Sequence, residues 1–200
     1  VSRPYVVGVT GGIATGKSTV LAMLGELGAT LIDADAVYHD LIAPGLPLWH
    51  SVRERFGDRV VASNGTIDRK ALGAIVFHDA AALHDLEQLT HPAVVTEIER
   101  RIAATDGGVV AVDAVKLSES GLGKSCDQIW LVTCNREVQR TRLMERNQLS
   151  REDTDRRLAA QPDRAHQAKI ADVIIDNSND LANTRAQVER ARNAIPALTS

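Results

Sequence analysis

Apolar residues in this chain gather into short unbroken runs, separated by stretches in which they recur every three or four positions. The runs are Val6-Val7-Gly8-Val9, Thr30-Leu31-Ile32, Val109-Val110-Ala111-Val112, Ile129-Trp130-Leu131-Val132 and Val173-Ile174-Ile175. Runs without alternation predict strands covered on both faces. After the first run, Val20, Leu21, Leu24 and Leu27 recur at helical spacing, and Gly28 stands where that helix should end. Strands separated by helical segments predict an α/β fold with a doubly wound parallel sheet of about five strands. Ligands of such sheets collect beyond the carboxyl ends of the strands. A glycine-rich turn, Asp33, Asp35 and Asp113 all fall at such ends.

About 70 residues lie between the second and third runs, far more than one crossover helix needs. Turn signals stand at Ala43-Pro44-Gly45 and Ser63-Asn64-Gly65. Between and after them, helical spacing runs through Leu48, Val52 and Phe56, through Leu72, Ile75, Val76 and Phe77, and through Leu83, Leu86 and Leu89. A last helix is expected over Val94, Val95, Ile98 and Ile102, with Pro92 in its first turn after Thr90 or His91. Residues 36–105 therefore read as a helical insertion domain. The core is left to 1–35, 106–135 and 166–200, with 136–165 as a third segment.

The composition is that of an ordinary globular protein, with 44% hydrophobic and 24% charged residues in 200. A net charge of −3 argues against a general nucleic-acid binder. No apolar run reaches the ~20 residues of a membrane span, and the N-terminal stretch lacks a signal-peptide pattern. Cys126 and Cys134 are too few for a disulfide framework, so a reducing cytoplasm is the expected setting.

The chemistry concentrates after the first strand. Gly11, Gly16, Lys17 and Ser18 satisfy G-x-x-x-x-G-K-[ST], between a buried run and a helical pattern. Glycines let the backbone turn and approach a ligand, and the following helix N-terminus adds positive potential, so a polyphosphate is held. Lys17 is expected to reach the phosphates of ATP and Ser18 to ligate Mg²⁺. Asp33 and Asp35 would share one face of an extended backbone, one helping to hold hydrated Mg²⁺ while the other meets the acceptor. Asp35 is equally placed to cap a following helix, with His39 four residues on. From Arg136 to Arg164 there are eight arginines and no lysine. Arg142 and Arg146 fall on one helical face, and the stretch reads as a lid over the transferring phosphate. A guanine-nucleotide switch is excluded because D-x-x-G and N-K-x-D are both absent. A nucleotide-binding regulator without transfer activity, or a related nucleoside or nucleotide kinase, remains as an alternative.

These residues bring the chain to a family. From about Val6 to Asn177 it resembles the dephospho-coenzyme A kinases, a family of P-loop kinases. The resemblance rests on Thr10-Gly11-Gly12-Ile13 through Ser18, Ile32-Asp33-Ala34-Asp35, Pro44-Gly45, and Gly65 to Phe77 with Arg69. It continues in Leu86-x-x-Leu89-x-His91-Pro92, in Gln139-x-x-Arg142-x-x-x-Arg146, in Gln161, and in Ala171 to Asn177. It implies a P-loop NTPase-type sheet and transfer of the ATP γ-phosphate to the ribose 3′-hydroxyl of dephospho-coenzyme A. It further implies an ATP cradle over Gly11, Gly12, Ile13, Ala14, Thr15, Gly16, Lys17, Ser18 and Thr19, with Asn177 near the adenine. Asp35 looks like the acceptor-activating acid, with Asp33 beside it toward the metal. Arg69 and His91 are the implied acceptor contacts, and Arg142 and Arg146 begin the lid; Lys116, standing where the family has an apolar residue, is an additional cation that either meets substrate phosphate or points to solvent. One departure stands out. The family usually continues its third strand with x-Pro-Leu-Leu, an apolar residue and Glu, whereas this chain has Asp113-Ala114-Val115-Lys116-Leu117-Ser118-Glu119.

Overall fold

The computed structural model describes residues 2–115, 117, 119–161 and 164–196. Lys116 therefore lies outside the described residues. All five apolar runs are strands: β1 (Tyr5–Gly11), β2 (Thr30–Asp33), β3 (Val109–Asp113), β4 (Gln128–Thr133) and β5 (Val173–Asp176). They form one sheet in the order β2-β3-β1-β4-β5. β1 pairs in parallel with β3 and β4, and β4 with β5. The central strand β1 is hydrogen-bonded on both sides and buried from Val6 to Gly11, which is why its sequence does not alternate.

The chain divides into two compact units, one of residues up to Ile32 together with those from Ile102 onward, the other Asp33–Arg101. In the first, helices α1 (Lys17–Glu26) and α9 (Leu181–Asn193) cover one sheet face. Val20, Leu21 and Leu24 of α1 and Val188 of α9 pack there with Val7, Val9, Trp130, Val132 and Ile175. Burying each such side chain stabilises the unit by roughly 1.5–3 kcal/mol. Gly8 faces the other way, where a Cβ would lie 2.7 Å from Leu117 and 2.8 Å from the Cys126 sulfur. After β4 come α6 (Arg136–Asn147), α7 (Arg151–Ala159) and α8 (Arg164–Ile170). Ser150 caps α7 by accepting from the Asp153 N–H at 3.1 Å, as the Ser-x-x-Asp spacing suggests.

The second unit has its own core of Ile42, Leu48, Trp49, Val52, Phe56, Val60, Ile67, Leu72, Val76 and Ala82. These come from α3 (Pro47–Phe56), α4 (Arg69–Val76), α5 (Ala80–Ala103), the turns between them and the turn before α3, which holds Ile42. Here two expectations are corrected. Pro92 starts no helix: α5 runs unbroken through it. An internal proline removes one helical hydrogen bond, and both Pro92 and Gln88, the residue whose carbonyl would have accepted it, are exposed. Asp33 and Asp35 do not share a strand face either, because α2 (Ala34–Leu41) begins at Ala34.

Candidate active site

The loop between β1 and α1 is built by three local constraints. At Gly11 a Cβ would lie 2.7 Å from the Val132 carbonyl, so glycine is required by the neighbouring strand rather than by its dihedrals. Ala14 (φ 58°) and Gly16 (φ 93°) then turn the chain through left-handed conformations. The Thr15 hydroxyl closes the turn on the Gly12 carbonyl at 2.9 Å. Gly16 is the N-cap of α1, where no side chain accepts from the first turn and no acid stands in it. That helix end carries partial positive charge toward whatever lies beyond it.

Beyond it is a cavity of about 580 Å³. Gly11, Gly12, Ile13, Ala14, Gly16, Lys17 and Ser18 line it together with Arg142 and Arg146 of α6, Asp113, Val115, Gln161 and Gln167. The structure thus brings most of the expected nucleotide-side residues to one space. The β1–β3 register sets Asp113 beside Val9, one strand away from the loop, and the Lys17 ammonium pairs with its carboxylate. Arg142 Nη1 stands 3.5 Å from the Thr15 carbonyl, and Arg146 donates to Asn147 Oδ1 at 2.9 Å.

Three residues of the same sequence stretches have other work. Arg140 bridges α6 to α7 through Asp155 at 2.7 Å and also pairs with Glu137. The Arg140 hydrogen bond holds the Asp155 carboxyl below the usual carboxylate range. Thr15 is buried under the loop. Asn177, expected beside the adenine, is 2% exposed and does not line the cavity. Its Nδ2 donates to the Thr15 carbonyl at 2.9 Å, and its Oδ1 accepts from the Thr184 hydroxyl at 2.8 Å. Both ends of the amide are thus occupied from behind the loop, which Asn177 supports.

The second unit carries the acceptor-side candidates. Asp33 is the N-cap of α2: its Oδ1 accepts from the N–H groups of Asp35 at 2.8 Å and Ala36 at 3.2 Å. The capping role considered for Asp35 therefore belongs to Asp33, and Asp35 projects, exposed, from the first turn. Arg69 Nη2 donates to His39 Nδ1 at 2.7 Å. A guanidinium only donates, so His39 Nδ1 is the acceptor in this bond. Tyr38 beside them has its phenol pKa raised by burial, with the Arg69 charge opposing. His91 is half-buried inside α5 rather than at a helix start.

Gln139 and Gln161 were visible in the sequence only as matching positions, and neither carried a local signal of its own. In the structure both bond to Ile13, at its carbonyl and N–H respectively. Asp113 did carry a signal, an acid ending a buried strand.

A family model described as dephospho-CoA kinase matches residues 5–183. A dephospho-CoA kinase of Symbiobacterium thermophilum is 46% identical over 189 residues, 93% of this chain and 79% of its own length. Among solved structures, TT1252 from Thermus thermophilus superposes with a TM-score of 0.84 at 28% identity, covering 98% of this chain and 100% of the other. A dephospho-CoA kinase from Campylobacter jejuni gives 0.71 at 30% identity, covering 95% and 96%.

Proposed function

The chain belongs to the dephospho-CoA kinase family, and we propose that it moves the γ-phosphoryl group of ATP onto the ribose 3′-hydroxyl of dephospho-coenzyme A. That transfer is the final step of coenzyme A synthesis, which we assign to the cytoplasm. The observation that carries the reading is the cavity at the N-terminus of α1, where Lys17, Arg142 and Arg146 gather around the turned loop.

Phosphoryl transfer asks a protein chiefly for positioning and charge stabilisation. Loop N–H groups and the end of α1 hold the phosphates, and Lys17 leaves Asp113 to meet them. Arg142 and Arg146 supply the cations that offset charge on the transferring group. The ribose hydroxyl oxygen forms the new P–O bond while the bond to the β-phosphate oxygen breaks, and ADP departs with the electron pair. Asp35 takes the hydroxyl proton, a role suited to an exposed acid whose neighbour Asp33 is committed to a helix cap.

The donor set also suits Mg²⁺, a hard cation that keeps several waters and takes few protein oxygens. The Ser18 hydroxyl and the Asp113 carboxylate line the same cavity as Lys17. An ion bound there would neutralise phosphate charge, and Asp33 is the further acid assigned to it. On the acceptor side Arg69, held by His39, is the cation assigned to the substrate; His91 is assigned there by resemblance, and Lys116 as an additional cation in the segment that departs from the family.

The test is ADP release from the purified protein with Mg²⁺-ATP, with and without dephospho-coenzyme A. A large acceptor-dependent rate is expected. ATP binding with no stimulation by this acceptor would refute the assignment and point to another acceptor.

A further inference from the structure

One residue of the phosphate loop is held by both of its backbone polar groups. Gln161 Oε1 accepts from the Ile13 N–H at 2.6 Å, and Gln139 Nε2 donates to the Ile13 carbonyl at 2.6 Å. Gln139 is fully buried on α6. Since the Ile13 carbonyl can only accept, the amide nitrogen must face it, and Gln139 Oε1 is left buried with no hydrogen-bond partner among the described residues. An apolar side chain of similar length would fill this space without orphaning an acceptor. The bond to Ile13 is therefore what this glutamine provides.

Two consequences follow for the cavity. Gln139, Arg142 and Arg146 stand at i, i+3 and i+7, on one face of α6, so anchoring Gln139 to the loop sets the rotation at which both guanidiniums line the cavity. Gln161 follows α7, which is tied to α6 by the Arg140–Asp155 pair and by Arg136 donating to the Leu158 carbonyl at 3.3 Å. The two helices thus grip the loop at both ends of the strap they form. Gly12 belongs to the same device, for a Cβ there would lie 2.5 Å from Gln161 Oε1.

We propose that Gln161 is a positioning residue for the nucleotide, clasping Ile13 with the buried Gln139 so that loop and arginines are preset for ATP. The proposal rests on the reading that this loop holds the ATP phosphates. The Gln161 amide oxygen is engaged by the Ile13 N–H. Its loss leaves the Ile13 N–H unheld and the end of the strap unattached.

The experiment compares the wild-type chain with Gln161→Ala, Gln161→Glu and Lys17→Ala. In nucleotide-free protein, exchange of the Ile13 amide, followed by NMR, is expected to quicken in Gln161→Ala. Gln161→Glu, which keeps an acceptor oxygen at the same reach, should restore the protection. In steady-state kinetics Gln161→Ala should raise KM for ATP by about 3- to 10-fold, the scale of one hydrogen bond, while KM for dephospho-coenzyme A stays within about twofold. An unchanged Ile13 amide, or an unchanged or lowered KM for ATP, would overturn the proposal. In that case Lys17→Ala still binds ATP poorly and the reading of the loop stands. Lys17→Ala protein that binds ATP like the wild type would instead overturn both.

Discussion

Asn177→Ala separates a residue that supports the loop from one that touches nucleotide. Removing the amide leaves the Thr15 carbonyl without its 2.9 Å donor. The Thr184 hydroxyl loses an acceptor but keeps the Asp180 carbonyl at 3.3 Å, so that half of the change is cheap. Among the described residues the buried carbonyl keeps only Arg142 Nη1 at 3.5 Å, and the loss of its better donor costs about 1–2 kcal/mol. The emptied space adds to this, because Asn177 is 2% exposed and Gly16 stands directly against it. A total of about 2–3 kcal/mol in a chain of this size lowers Tm by roughly 4–12 °C. Asn177→Asp should lose more, since it sets an oxygen against the Thr15 carbonyl. Calorimetry of the nucleotide-free variants measures this, with ATP titration as the companion. A Tm within about 1 °C of wild type, together with a clear loss of ATP affinity, would refute the supporting role and restore a nucleotide contact.

Lys17→Ala should abolish measurable transfer while the fold survives, since Lys17 lies in a partly exposed pair rather than in the apolar core; near-normal ADP release would contradict the loop assignment. Asp35→Asn should lower kcat by at least about 10²-fold with KM for ATP little changed, the scale of losing a general base. If Asp35→Asn is active and Asp33→Asn is not, the two acids have been assigned the wrong way round. Gly11→Ala should unfold readily in a denaturant titration, because its Cβ meets a backbone carbonyl that cannot move without breaking β4 from β1. Burial first, then the Asp127 charge, pushes the Cys126 thiol up to about 12 from the ordinary value near 9. The fold therefore favours the protonated thiol, and that stabilisation is complete below pH 9 and lost as pH rises toward 12. At pH 8, Cys126 should react with a disulfide reagent about 10²-fold or more slowly than a peptide cysteine, and rapid labelling would contradict its environment.

The five strands were legible because each is an apolar run bounded by turns or acids; burial on both faces explains the runs of β1, β3 and β4, whereas the edge strands β2 and β5 bury only Ile32 and Ile175 and leave Leu31 and Ile174 exposed. The phosphate loop was legible because its chemistry needs fixed residue types at fixed spacing. The pair Asp33 and Asp35 was read with the wrong geometry. Nothing in Asp-Ala-Asp says whether the backbone stays extended or turns at once into a helix, and the first acid's own capping bonds decide it. Pro92 misled for a related reason, because the sequence shows the missing N–H but not that Pro92 and Gln88 lie on the exposed side of the helix. Gln139 and Gln161 gave no local sign. A glutamine in a polar helix has the composition of any solvated surface, and only the folded chain brings those two amides to one loop peptide.

The phosphate loop springs from the middle strand of the sheet, not from an edge. Amide groups along β1 are locked by partners on either flank, so the segment leading into the loop has no route to local fraying. It belongs to the most cooperative part of the molecule, where opening requires disassembly of the whole sheet. The turned loop should then persist along a denaturant gradient until the native fold is lost, while α6 and α7, which belong to no strand ladder, can loosen earlier and at lower cost and weaken nucleotide binding first. Fidelity at the phosphates is thus secured by global stability, and adjustment is left to the periphery.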